Sequence, residues 1–386
     1  MINYHAIAFT ALTATGALFL LIIIAEFFSW IFLSLWFSKK KPGQFAFEHT
    51  DEQLKSLYGA TDLGSYKEML HEYWIQVGQL KYVYEPLVEF GMQEFNGKHI
   101  TVSPRGFRHV ENQCPEFPSQ DRRNIFVYGG STTYGAMVKN EETIPSIIQK
   151  TLNEKSGANT AVYNFGAGGY YSTPERIRFE KQITAGIVPD VAIFIDGLNE
   201  FYFFEVPDIT AWSPIIDSTV TTMLEGRKKK KLADASNTCA LISAALKKTG
   251  IREAAGNKRA KATEEEIRRA AGRLAANWEI LRGICSRLGV RLVLVHEPIS
   301  TYHYDASKRI VQFTDKYVGR HVNSARGYEI VAEQSEKNLI SNDNVLWLQD
   351  LAIEQNQYVD HVHYSPMYSR AIGEKIAAYI IENKML

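Results

Sequence analysis

The chain has 386 residues, of which 45% are hydrophobic and 22% charged, enough to bury one large core with room for additions. Its 43 Lys and Arg balance 43 Asp and Glu, so net charge gives no case for nucleic acid as a partner. Three cysteines exclude a disulfide framework.

Residues Ala6 to Phe37 are almost wholly apolar, interrupted by Glu26 and a few small polar residues. As a helix this run would measure roughly 48 Å, longer than the roughly 30 Å hydrocarbon core of a bilayer. The spacing predicts a single span over Ala6 to Ala25, with Glu26 near a headgroup region and an interfacial aromatic stretch from Phe27 to Phe37. The run is too long for a cleavable signal peptide, its start carries no Lys or Arg, and no small-x-small site comes after it. Residues 1–38 are therefore expected to be a transmembrane anchor, with membrane lipid as partner through residues 6–37. Glu26 marks a place where a membrane protein partner would pair with it. Lys39, Lys40 and Lys41 after the run favour a cytoplasmic face for the rest of the chain.

Residues 39–120 hold many aromatics, including Tyr73, Trp74, Tyr82, Tyr84 and Phe90, and end in Thr101-Val102-Ser103-Pro104-Arg105-Gly106-Phe107-Arg108. They read as an extension that packs on the domain after it, either as a structural arm or as a wall of the site mouth. From there the chain alternates strand and helix. Ile125 to Tyr128, Val162 to Phe165, Val191 to Ile195, Val290 to Val295 and Val345 to Leu348 are short apolar runs of strand length. Helical spacing separates them: Ile144, Ile147, Ile148 and Leu152 after Glu142, and a last helix over about Pro366 to Ile381. Another is opened by the Thr263/Glu266 capping box, with the stripe Ile267, Ala271, Leu274, Trp278, Leu281, Cys285 and Leu288. That alternation predicts an α/β fold with about five parallel strands covered on both faces, a three-layer α/β/α sandwich. It would occupy residues 121–386.

A basic helical insertion at about 205–262 interrupts the alternation. Arg227 to Lys261 holds eleven Lys and Arg against Asp234 and Glu253, either a surface for anionic headgroups or acidic polymer or simply a solvated face. Cys285 falls on the apolar stripe, while Cys114 and Cys239 are free thiols or, in an oxidising compartment, a pair.

Four motifs stand at the strand ends: Gly129-Gly130-Ser131-Thr132-Thr133-Tyr134-Gly135, Asn164-Phe165-Gly166-Ala167-Gly168-Gly169, Gly197-Leu198-Asn199-Glu200 and Asp360-His361-Val362-His363. In open parallel sheets ligands bind beyond the carboxyl ends of the strands. A serine hydroxyl needs an imidazole to take its proton, and the imidazole needs an acceptor on its far nitrogen. Ser131, His363 and Asp360 fit those roles. A tetrahedral intermediate also needs preorganised donors, which the Ser131 and Gly169 amides and the Asn199 side chain would supply. Each motif has a plainer reading as a tight turn, a phosphate cradle, a backbone glycine or a helix cap. No Lys comes after the first in Walker spacing, and Thr133 stands where the α/β-hydrolase elbow would have its last Gly. His361 and Asp350 stay open as alternative base and orienter. No metal-ligand cluster or dinucleotide fingerprint is evident, and the chemistry calls for no cofactor and no metal.

The four motifs, in this order, resemble those of the SGNH (GDSL-type) hydrolase superfamily over roughly residues 121 to 386. The first block is Gly-Gly-Ser rather than Gly-Asp-Ser, a variant of many bacterial membrane-tethered members, and the third ends in Glu200 rather than Asp. The resemblance implies an SGNH/flavodoxin-like fold and a membrane-anchored serine esterase acting on an acyl ester, acetyl among them, of a glycan or lipid. It implies a shared D-x-x-H unit for acid and base. An O-acyltransferase of cell-envelope glycans and a non-catalytic anchored scaffold are the alternatives. It also implies a single-pass bacterial inner-membrane protein whose domain is periplasmic, against the lysine count.

Overall fold

The structure, a computed structural model, describes residues 15, 17, 20–31, 49–59, 63–205, 261–308 and 318–386. The chain divides into two units, one of Met1–Gln44 with Asp217–Lys258 and one of Phe45–Ile216 with Arg259–Leu386. In the first unit residues 20–31 are helical, and Leu20 to Ile24, Phe27, Phe28 and Trp30 expose their side chains. Among the described residues no helix is long and apolar enough to cross a membrane. Much of the span expected over Ala6 to Ala25 lies outside the described residues, as do Lys39 to Lys41, Cys239 and nearly all of the basic insertion.

The second unit opens with helices α1 (Asp51–Tyr58) and α2 (Leu63–Gln79), then two antiparallel pairs, β1 (Tyr82–Glu85) with β2 (Glu89–Met92) and β3 (Phe95–Asn96) with β4 (Thr101–Val102). Next come β5 (Arg123–Gly129), α3 (Ser131–Tyr134), α4 (Ile144–Lys155), β6 (Thr160–Asn164), α5 (Ser172–Thr184), β7 (Val191–Asp196), α6 (Glu264–Leu288), β8 (Arg291–His296), α7 (Ser324–Glu336), β9 (Val345–Trp347) and α8 (Pro366–Glu382). Strands β5 to β9 form one parallel sheet in the order β6-β5-β7-β8-β9.

These runs are apolar throughout because both faces of the sheet are covered. Ile125, Val127, Val191, Ile193, Ile195, Val293 and Val295 face one layer with Ile144, Ile148 and Leu152 of α4 and Ile372, Ile376 and Ile380 of α8. Their alternates Phe126, Tyr128, Ala192, Phe194, Leu292 and Leu294 face the other, with Phe179 of α5, Leu274, Trp278 and Leu281 of α6 and Ile330 of α7. Thr263 caps α6 in the expected box, and Gly289 ends it in the left-handed region. Of the stripe expected on α6, Leu288 alone is exposed, because it lies in the last turn beside that cap. Cys114 and Cys285 are buried free thiols.

Strand β5 has β6 on one side and β7 on the other, so the chain reverses direction across the sheet at β5. The crevice beyond the carboxyl ends of β5 and β7 is the switch point where open α/β sheets take ligands.

Helices α1 and α2 form a third cluster, in which Leu57, Leu70 and Tyr73 pack with Ile100, Val102, Tyr134 and Met137. Met137 has a left-handed φ of 68°, a conformation that costs free energy in a non-glycine residue. Its N–H donates to Tyr73 Oη at 2.8 Å, and its carbonyl accepts from Tyr58 Oη at 3.3 Å. Arg108 is wholly buried. It donates to the carbonyls of Tyr134 (3.0 Å), Gly135 (2.7 Å), Val138 (2.7 Å) and His99 (3.2 Å) and to Asn140 Oδ1 at 3.0 Å. A buried guanidinium is tolerated only with its donors satisfied. Here its acceptors lie largely in the loop after α3, so the segment ending in Arg108 shapes that loop from below.

Candidate active site

Strand β5 ends at Gly129, and the chain turns at Gly130 into the single-turn helix α3, which Ser131 opens. A Cβ on Gly130 would stand 2.6 Å from Asn199 Nδ2 and 3.2 Å from the Tyr170 carbonyl oxygen. The second glycine of Gly-Gly-Ser is therefore what lets the Asn199 amide lie against the nucleophile turn. Asn199 lies just past β7 and donates from Nδ2 to the Tyr170 carbonyl at 2.8 Å, which fixes the plane of its amide and leaves that group a second proton.

Asp360 and His363 come from the loop before α8. Asp360 Oδ1 accepts from the Val362 and His363 amides, each at 2.7 Å, so the i+3 spacing closes into a tight turn around the carboxylate. Its Oδ2 lies 2.7 Å from His363 Nδ1, and His363 Nε2 lies 3.0 Å from Ser131 Oγ. Burial works to raise the Asp360 carboxyl, but His363 and the two amides outweigh it and hold the group well below the usual carboxylate range. For His363 burial works downward, and the Asp360 and Glu297 carboxyls more than offset it, so the imidazole sits above its ordinary value. A hydroxyl, an imidazole and a carboxylate in this order can move a proton off the serine and stabilise the imidazolium that results.

Ser131, Gly169, Asn199 and His363 line one cavity of about 460 Å³, with Leu198, Tyr202, Phe203, Val318 and Val362 giving it an apolar wall. Gly169 has φ +82° and makes no hydrogen bond among the described residues, and Ser131 stands first in its helix, where amides have no intrahelical acceptor. All the expected site residues thus meet at one place.

The two alternatives do not meet it in the same way. His361 lines the cavity, but its ring lies 6.1 Å from the His321 ring and its carbonyl accepts from Ser300 Oγ. Burial depresses both imidazoles, His321 to about 3. Asp350 is exposed and lies 2.5 Å from His303 Nδ1 instead.

Glu200, the departure in the third block, is buried and has its own partner. Its Oε1 lies 2.5 Å from Arg273 Nε on α6, its Oε2 accepts from Ser172 N at 3.2 Å, and its carbonyl takes Arg273 Nη2 at 2.8 Å. The longer carboxylate reaches from the Asn199 turn to α6 and to the first residue of α5.

Glu297 escapes the motifs altogether. It comes directly after β8, is buried, and has a carboxyl that burial lifts to about 7, although bonds from Tyr364, Thr132 and the Leu198 amide work to lower it. The Tyr364 hydroxyl has one proton but lies 2.7 Å from Glu297 Oε2 and 2.6 Å from the Pro298 carbonyl. A signal for Glu297 exists in the sequence, because an ionisable residue directly after the carboxyl end of a parallel strand belongs among the candidate site residues.

No family model matches the chain, and no curated protein matches it in sequence. In structure it is similar to a lipolytic protein of the G-D-S-L family from Desulfitobacterium hafniense DCB-2, at 12% identity and a TM-score of 0.37 over 67% of this chain and 99% of that one. It is similar to an acetyl xylan esterase, at 12% identity and a TM-score of 0.38 over 67% and 99% of the two chains. A carbohydrate acetylesterase from Sinorhizobium meliloti aligns at 10% identity and a TM-score of 0.37 over 68% and 100%. With TM-scores this low, the likenesses carry none of the functional reading, which rests on the relay from Ser131 through His363 to Asp360 and on the cavity that holds it.

Proposed function

We propose that the chain is a serine hydrolase that cleaves acyl esters through an acyl-Ser131 intermediate. The observation that carries this is the pair of contacts at His363, 3.0 Å from its Nε2 to Ser131 Oγ and 2.7 Å from its Nδ1 to Asp360 Oδ2, with Ser131 and His363 lining one cavity. Ser131 Oγ attacks the ester carbonyl carbon while its proton passes to His363 Nε2. The resulting oxyanion takes the Ser131 and Gly169 amides and the spare proton of Asn199. Collapse breaks the bond to the alcohol oxygen, which leaves with the proton from His363, and water repeats the steps in reverse to free the acid.

The apolar wall of Leu198, Tyr202, Phe203 and Val318 suits the acyl or ring face of a glycan or lipid ester. A sugar hydroxyl in place of water would make the same site an O-acyltransferase. Incubating the full chain in detergent with a fluorophosphonate probe and short-chain p-nitrophenyl esters separates these outcomes. Labelling at Ser131 with turnover in water supports the esterase, turnover only on adding a glycan acceptor supports the transferase, and absence of labelling leaves a scaffold.

Asn199→Ala removes one oxyanion donor and leaves Ser131 and His363 in place. Turnover is expected to fall by roughly 10² to 10³ while the ester still binds, read as a fall in kcat at an unchanged KM. An unaltered kcat would take Asn199 out of the oxyanion hole.

We further propose that the N-terminal run anchors the chain in a bacterial inner membrane by a single span, with the hydrolase unit on the periplasmic side. The exposed Leu20 to Ile24, Phe27, Phe28 and Trp30 support the anchor, since so contiguous an apolar surface calls for a nonaqueous contact. An alkaline phosphatase fused after residue 386 is expected to be active and a cytoplasmic fluorescent reporter dark. The opposite pair of results would reverse the orientation.

A further inference from the structure

Three loops at the site each have, beside a functional residue, a neighbour that binds one and the same buried carboxyl group. Glu297 Oε2 accepts from Thr132 Oγ1 at 2.8 Å and lies 2.7 Å from the Tyr364 hydroxyl, while Oε1 lies 3.3 Å from the Leu198 amide. Thr132 adjoins Ser131, Tyr364 adjoins His363, and Leu198 adjoins Asn199. The loops come from β5, from the segment before α8 and from β7, elements far apart in the chain.

We infer that Glu297 is a positioning residue that holds the nucleophile, base and oxyanion loops in mutual register, an inference that rests on the serine-hydrolase reading. Its own backbone is secured to the sheet. The Glu297 N–H donates to the Asp196 carbonyl at the end of β7 at 3.0 Å, and its carbonyl accepts from Tyr328 Oη at 2.8 Å. Gly197 leaves the room for that tyrosine, because a Cβ there would stand 2.1 Å from Tyr328 Oη. A buried side chain whose backbone is tied to a strand end is a stiffer reference than a loop, and the relay needs such a reference. Displacing a reacting group by about 1 Å can cost about 10² in rate. The clamp works with or without a proton on Glu297, since the Thr132 and Tyr364 hydroxyls can turn to donate or accept. Glutamine, an uncharged isostere, should therefore serve almost as well.

The test compares kcat per titrated site, with fluorophosphonate counting the sites in the full chain. A purely structural carboxyl would change the number of folded, labelled sites and leave the turnover of each one as it was. Glu297→Ala is expected to lower kcat per labelled site by about 10² with KM little changed, and Glu297→Gln to restore most of it. Should Glu297→Ala fail to fold, Thr132→Val and Tyr364→Phe each remove one contact to Glu297, the second also the contact to the Pro298 carbonyl, and each is expected to lower kcat per site by a smaller factor. Wild-type turnover per site in Glu297→Ala, or in both of those single variants, overturns the inference, as does a Gln variant no better than Ala. A wild-type chain that takes no label at Ser131 overturns the hydrolase reading and this inference with it, so the two failures are distinguishable.

Discussion

Ser131→Ala is expected to abolish fluorophosphonate labelling and to lower ester turnover by on the order of 10⁶, and His363→Ala to lower turnover by a similar amount. The losses should not add. Oγ and Nε2 are 3.0 Å apart and act on one proton, so a chain lacking either keeps only the oxyanion donors and binding, and the double variant should be no slower than the single ones. The measurement is kcat for a p-nitrophenyl ester in folded protein, with thermal unfolding as a control. His361→Ala belongs beside it. His361 lines the cavity but has its ring turned toward His321, so its loss should be small. Near-normal turnover in His363→Ala with a large loss in His361→Ala would reassign the base.

Asp360→Asn is expected to cost up to about 10⁴ in kcat while the fold survives, because the amide keeps the shape of the carboxylate but favours the wrong imidazole tautomer. The variant also moves the pH profile, and the charges set the sign. His363 lies above its ordinary value against the pull of burial because Asp360, and secondarily Glu297, stabilise the imidazolium. The base must be neutral to accept the serine proton, so wild-type kcat/KM should fall as pH drops through that raised value. Removing the Asp360 charge lowers it, and the acid limb of the variant should shift to lower pH even as the plateau collapses. His361 and His321 line the same cavity as His363, and burial keeps both depressed, so neither adds a positive charge that would move the limb further. A kcat within a few-fold of wild type and an unmoved acid limb would remove Asp360 from the relay.

Two departures from the SGNH pattern have local reasons in the fold. Gly130 is where the Asn199 amide comes within 2.6 Å of the position a Cβ would take, and Glu200 spans to a buried Arg273 that also stacks over Tyr171 at 4.7 Å. Neither reason could be read from the motif, because each depends on a partner tens of residues away.

What the sequence determined by itself was whatever is local in the chain. Strand-length apolar runs with a motif at each end placed Ser131, Gly169 and Asn199, the Thr263/Glu266 box opened α6, and the i+3 step from Asp360 to His363 forecast a turn that presents both. A parallel sheet needs little more than this, because strands buried on both faces announce themselves as continuous apolar runs. The i+3 step favoured His363 over His361 as the partner of Ser131, and the tertiary structure brings His363 Nε2 to it, since the two side chains leave one loop in different directions. Tertiary structure alone decided the fate of Asp350, which pairs with His303, and the place of Arg108, whose acceptors are mostly backbone carbonyls that no sequence pattern marks. Glu297 is the sharpest case: its three partners lie 165, 99 and 67 residues away in the chain, and only the packing of β5, β7 and β8 side by side, together with the segment before α8, brings them to one carboxyl group.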